Sequence, residues 1–178
     1  GTGSSHVRCI GKSLWGLKML KQDEKNALVE KCLREEEIFQ FDKFSQTDAQ
    51  KLGGLLYKCS LRYDKPVAIE IRMNHLLVYR FFPDGTNKNN ELWLEAKANT
   101  VDMLGVSSLH LFAEIEAGGD ELEDRRMDEK KFTFYGGGFP LIIRNCGIIG
   151  SICVSGLEHT KDHQVIIDAL NEYWKQNN

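Results

Sequence analysis

Pro66-Val67-Ala68-Ile69-Glu70-Ile71-Arg72, followed by Asn74-His75 and then Leu76 to Phe82, is the stretch on which the fold turns. Val67, Ile69 and Ile71 alternate with Ala68, Glu70 and Arg72, which is the period of a strand. Asn74-His75 predicts a tight turn, and Leu76 to Phe82 the partner strand running back. Pro83-Asp84-Gly85 ends this hairpin, and a polar loop follows through Asn90. A second hairpin is predicted from Phe139 to Ile143 and from Ile148 to Val154. Asn145-Cys146-Gly147 joins its strands, and the Gly136-Gly137-Gly138 run opens it. Leu109, Leu111, Ala113 and Ile115 also alternate and predict one more strand. Hairpins at both ends imply antiparallel pairing.

Helical spacing fills the remainder. Asp23 is a candidate cap for a helix through Ala27, Leu28, Cys32 and Leu33, and Ile38, Phe39 and Phe41 then read as a short extended segment. Ser45 and Asp48 form a pattern close to a capping box ahead of Ala49, Leu52, Leu55, Leu56 and Cys59. Gly53-Gly54 weakens that helix by about 1 kcal/mol per glycine, which points to close packing or to a tolerated weak spot. A third helix over about Glu91 to Leu104 places Leu92, Ala96, Asn99 and Met103 on one face, with Trp93, Lys97 and Thr100 beside it. Gly105 suits its C-terminal cap. A last helix covers about Lys161 to Lys175, with Thr160 as N-cap and Val165, Ile166, Ala169, Leu170 and Tyr173 facing inward. The fold class is therefore α+β: one antiparallel sheet of about five strands flanked by helices.

The bulk properties bound the function. The chain has 178 residues, 42% of them apolar and 28% charged, enough for one domain with its own core. The formal net charge is −3, which gives no strong positive field for a nucleic-acid backbone. Gly1 to Ser5 reads as an expression remnant, and His6 to Leu20 as an N-terminal arm. The arm has no apolar run long enough for a secretion signal or a membrane span. The domain proper is expected over residues 23–178. Five cysteines, an odd number with no CxxC pair, suit reduced thiols in a cytoplasmic protein better than disulfides or a zinc site. Glu116 to Lys131 is acidic and is expected as an exposed excursion.

Four stretches, in order, resemble one family. They are Pro66 to Arg72; Asn90 to Ser108 with Trp93, Lys97, Asn99, Thr100, Gly105, Ser107 and Ser108; Gly136-Gly137-Gly138-Phe139-Pro140; and Val154-Ser155-Gly156-Leu157 with Asp162-His163 and Ala169-Leu170. Together they resemble the haem-degrading-domain family (GlcG/HbpS-like), in its short cytosolic branch, over about residues 23–175. The resemblance implies a profilin-like fold, a five-stranded antiparallel sheet with helices on both sides, and a homo-oligomer of at least two chains. Some relatives bind haem or take part in its degradation, while the reaction of the short branch is unassigned. Two positions depart from the family pattern: Val106 and Tyr135 stand where relatives usually carry histidine. A tyrosine can still ligate haem iron; a valine cannot.

The candidate site residues follow. His163, after Asp162 at the start of the last helix, is the candidate acid, base or ligand; capping or loop-tethering is the structural alternative. His159 lies four residues before it, and no third metal ligand is fixed by the sequence, so no metal is assigned. Gly136 and Gly137 can expose backbone N–H groups to an anion, or simply form a tight turn. Arg72 and Lys97 can supply positive charge to a carboxylate or a porphyrin propionate, or form ordinary ion pairs. Trp93 can line a pocket edge or an oligomer interface, or simply pack in the core, and Tyr135 is a candidate axial ligand. Ser107-Ser108 and Ser155 lie in no Gly-x-Ser-x-Gly elbow, which argues against hydrolase chemistry. The expectation is a protein binding a small, partly anionic ligand, haem among the candidates, where the glycine run, the third helix and the last helix converge. The alternatives are an interaction module without catalysis, or an enzyme using His163.

Overall fold

The computed structural model describes residues 20–177. Residues 1–19, which include Cys9 and all of the N-terminal arm but Leu20, lie outside the described residues. The elements run α1 (Gln22–Ile38), β1 (Gln40–Phe41), α2 (Gln46–Ser60), β2 (Ala68–Met73), β3 (Leu76–Phe81), α3 (Lys88–Leu104), α4 (Ser108–Glu116), β4 (Gly138–Ile143), β5 (Gly147–Ser155) and α5 (His159–Asn177). The strands form one sheet in the order β1-β4-β5-β2-β3. This is an α+β fold with a mostly antiparallel sheet.

Both hairpins form at their turn residues. Asn74 and His75 adopt φ of 50° and 67°, and Asn145 and Gly147 adopt 59° and 113°. Such left-handed conformations suit Asn and Gly and match the twist of the flanking strands. In α2, Ser45 Oγ accepts from the Asp48 N–H while the Asp48 carboxylate accepts from the Ser45 N–H, a complete capping box. Gly105 closes α3 at φ 72°.

Two expectations for the sheet are corrected. It is not wholly antiparallel: β1 pairs parallel with β4, Gln40 opposite Ile142 and Phe41 opposite Ile143. The long connection between them permits this. The pairing seats Phe39 and Phe41 against Trp174, with ring centroids 5.4 and 4.7 Å apart. Nor is Leu109–Ile115 a strand. It lies in α4, where Ser107 Oγ caps the His110 N–H and every residue from Ser108 to Ala113 is buried. A short segment buried all round gives no helical stripe, so its alternating leucines imitate a strand.

Helices cover both sheet faces. On one side α2 and α5 pack Leu52, Leu56, Ile166 and Leu170 against Ile69, Ile71, Leu141 and Ile152. On the other, Leu94 and Ala98 of α3 meet Ala68 and Cys153. Coverage of both faces explains why Ala68 to Ile71 are all buried despite their alternation. The inward face of α3 carries Leu94, Lys97, Ala98, Thr100 and Val101; Leu92 and Met103, which share another face, are 57% and 55% exposed. The last helix begins at His159, two residues earlier than expected. Thr160 is within its first turn, and Glu158 stands at the cap with its carboxylate accepting from the Thr160 N–H. The acidic excursion is anchored rather than free. Leu122 and Met127 bury against Leu111, and Arg125 bonds Glu114 at 2.9 Å.

Candidate functional site

Lys97 lies on the α3 face that meets the sheet, and its side chain is 3% exposed. A buried ammonium persists only where acceptors replace water. Here Nζ donates to Val154 O at 2.8 Å and to Asp162 Oδ2 at 3.0 Å. Asp162, in the first turn of α5, also accepts from the Leu157 N–H at 2.9 Å and the Gly156 N–H at 3.4 Å. Burial pushes the Asp162 carboxyl up, against the pull of Lys97 and these two N–H groups.

The glycine run makes room for this pair. Gly137 sits at φ 113°, and a Cβ there would lie 2.5 Å from Val154 O and 2.6 Å from Lys97 Nζ. The Gly138 N–H donates to Ser108 Oγ at 2.9 Å, and the Gly136 N–H to His159 Nδ1 at 3.0 Å. The run therefore spends two of its N–H groups inside the protein and supports the site from behind.

His159 is the partner the run holds. Burial, together with the nearby Lys97 and His163, pushes its imidazole down to about 4, against the opposing pull of Glu158. The ring is thus neutral near pH 7. Because Nδ1 accepts from Gly136, its proton resides on Nε2. Nε2 is buried and has no hydrogen-bond partner among the described residues. Glu158 Oε1 approaches it at 3.5 Å without bonding.

These groups line one cleft of about 460 Å³, formed by Asn89, Asn90, Trp93, Lys97, Tyr135, Ser155, Gly156, Leu157, His159 and Asp162. That volume lies in the range of small-molecule sites. An aromatic row forms one wall. Trp93 meets Tyr135 edge to face at 5.8 Å, and Tyr135 meets His159 at 5.2 Å. Two other hollows, one beside Tyr57 and Phe81 and one beside Asn26 and Arg125, contain no buried ion pair.

The structure brings Trp93, Lys97 and Tyr135 to this cleft, with Gly136 and Gly137 behind it. It does not bring Arg72 or His163. Arg72 Nε bonds Glu70 Oε1 at 2.5 Å, and Arg80 bonds the same buried carboxylate. His163 is 1% exposed, with Nε2 2.6 Å from Glu35 Oε2, so it ties α5 to α1. A carboxylate of α1 that sequence spacing does not connect to α5 has claimed it. The site residues missed were His159, Asp162 as the lysine's counter-ion, and the Ser155–Leu157 backbone. The four-residue spacing of His159 and His163 was visible, but starting α5 two residues late left His159 in a loop.

The fold and cleft together define an α+β protein whose covered sheet opens a polar, aromatic-walled hollow at the start of its last helix. The chain belongs to the haem-degrading HbpS-like family, whose model matches residues 44–171. Similar relatives are UPF0303 proteins. That of Psychromonas ingrahamii is 33% identical over 144 residues, covering 80% of this chain and 91% of the relative. That of Pseudomonas entomophila is 34% identical over 139 residues, covering 78% and 77%. Among solved structures, the Ybr137w protein superposes with a TM-score of 0.71 at 22% identity over 90% of this chain and 91% of that one. A PduOC haem complex superposes at 0.61 with 20% identity, covering 72% and 93%. HbpS superposes at 0.61 with 16% identity, covering 75% and 92%. At these identities the structural likeness establishes the shared fold. No described helix is long and apolar enough to cross a membrane.

Proposed function

We propose that this protein binds a small, partly anionic ligand in the Lys97 cleft, and that haem or a related tetrapyrrole is one form of that ligand. The observation that carries this reading is a buried ammonium lining a cleft with an aromatic wall. Lys97 has three protons and two intramolecular acceptors, which leaves one for a carboxylate or propionate. Trp93 and Tyr135 both line the cleft and add aromatic surface for a flat ligand.

The residues present fit haem in a restricted way. Tyr135 supplies a phenolic oxygen of the kind that ligates haem iron elsewhere. His159 carries its proton on Nε2, and His163 is enclosed by Glu35 and apolar packing. If haem were bound, Tyr135 would be the residue to hold its iron and Lys97 the one to pair with a propionate. The protein acts in a reducing compartment, the cytoplasm, as its four described cysteines are free. It self-associates through apolar residues left exposed, among them Leu76, Leu77, Leu92 and Met103.

Titration with haem, followed by Soret absorbance, tests the haem form. A saturable Soret shift is expected, altered in Tyr135→Phe and weakened in Lys97→Met. No shift in the wild type, or one unchanged in both variants, removes haem from the reading.

A further inference from the structure

Resting on the ligand-binding reading above, we infer that His159 and Lys97 together form a carboxylate-binding pair, with His159 Nε2–H as a neutral hydrogen-bond donor rather than a metal ligand. The ligand group is a carboxylate, borne either by a small organic acid or by a tetrapyrrole propionate.

The geometry fixes the chemistry of the imidazole. Metal ligation through Nε2 requires a lone pair there and the proton on Nδ1. That tautomer would set Nδ1–H against the Gly136 N–H, which now donates to Nδ1 at 3.0 Å. A buried N–H facing another N–H loses a hydrogen bond and leaves two donors unsatisfied. The observed arrangement instead leaves Nε2–H as the only unmet hydrogen-bonding need of the ring, a buried atom of a residue that lines the cleft. A buried donor without a partner costs free energy that an acceptor recovers, and of the unpartnered buried atoms among the described residues, Ser151 Oγ, His163 Nδ1 and His159 Nε2, only the last belongs to a residue lining the cleft.

The carboxylates beside the ring are engaged elsewhere. Asp162 also lines the cleft, but its oxygens are engaged by Lys97 and by the Gly156 and Leu157 N–H groups. Glu158 is held by the Thr160 N–H and hydroxyl. Lys97 has a third proton to offer. A carboxylate accepting from Nε2–H and from Nζ satisfies both at once.

The test compares three probes by equilibrium titration: metal-free protoporphyrin IX, its dimethyl ester, and benzoate. The proteins are the wild type, His159→Phe, His159→Gln and Lys97→Met. A hydrogen bond to a charged group is worth about 10- to 100-fold in affinity. The free-acid porphyrin or benzoate should therefore bind His159→Phe weaker by that factor, and His159→Gln, which keeps a donor, should recover part of it. The ester should bind poorly. Binding of the free acid alone assigns the carboxylate to a propionate; binding of benzoate alone assigns it to a small acid. Equal binding of acid and ester, or equal affinity in His159→Phe, overturns the inference, while binding lost in a Lys97→Met protein whose circular dichroism matches the wild type keeps the cleft reading. If none of the probes binds the wild type, the inference falls; if haem nevertheless binds, the cleft reading survives. A histidine 15N spectrum supplies an arm independent of ligand and of variant folding. Protonation at Nδ1 near neutral pH would overturn the assignment of the donor.

Discussion

Lys97 Nζ stands 3.0 Å from Asp162 Oδ2, and each side chain is 3% exposed. Two opposite charges have been taken out of water together, one from the middle of α3 and one from the first turn of α5. Breaking such a pair from one side strands the other charge. Lys97→Met and Asp162→Asn should each cost about 3–5 kcal/mol, and the double variant markedly less than their sum. Urea denaturation of the four proteins measures the coupling. Strict additivity would show that the two groups do not depend on each other.

The adjacent glycines of α2 should respond in opposite directions. A Cβ on Gly53 would lie 2.4–2.5 Å from the Tyr79 ring, whereas one on Gly54 meets nothing within 4 Å. Gly53→Ala forces the ring off β3 and should destabilise by about 1–3 kcal/mol. Gly54→Ala removes backbone freedom without a clash and should stabilise by about 0.5–1 kcal/mol. Thermal melts of the two single variants decide it. The tight packing that the glycine pair suggested thus belongs to its first member, and the tolerated weak spot to its second.

Stability should decline on both sides of neutrality, through different histidines. His159 is held down to about 4, first by burial. An unfolded chain protonates it near 6.5, so the folded state loses ground as pH falls across that interval. Burial also opposes a charged His110, but its bond to Glu36 and the carboxylate charge outweigh this and raise it. That stabilisation is complete below about 6.5 and fades as pH rises through the raised folded value. On Glu35, burial is outweighed by the His163 bond and charge, and the carboxyl is lowered. Its contribution is lost as pH falls below the ordinary glutamate range. His159→Phe should flatten the acid-side decline, and His110→Gln the alkaline one, in denaturation midpoints recorded from about pH 4 to 9.

The thiols should differ sharply in reactivity. Burial pushes Cys32 and Cys153 up to about 12, and it also raises Cys59. Cys146 sits exposed in the β4–β5 turn. Among the described cysteines, iodoacetamide should label Cys146 alone in the folded protein, as read by peptide mass spectrometry. Labelling of Cys153 at a comparable rate would contradict the packing between α3 and β5.

The sequence by itself determined the local features, because each is set by residues near in the chain. Turn residues such as Asn74-His75 fixed the hairpins, and Ser45 with Asp48 fixed the start of α2. The family resemblance, carried by ordered motifs, indicated the α+β class and the segments that wall the cleft. What only the tertiary structure decided depends on which faces meet. Leu109 and Leu111 alternate like a strand, yet α1 and the acidic excursion bury the segment all round as α4. His163 has the chemistry of a site residue, but Glu35 at the end of α1 claims its Nε2. His159 carries its proton on Nε2 because the Gly136 N–H arrives at Nδ1 from a chain segment 23 residues away. Burial and hydrogen-bond partnership are properties of three-dimensional neighbours. One-dimensional spacing names the groups capable of chemistry, and packing decides which of them find partners and which line a cleft.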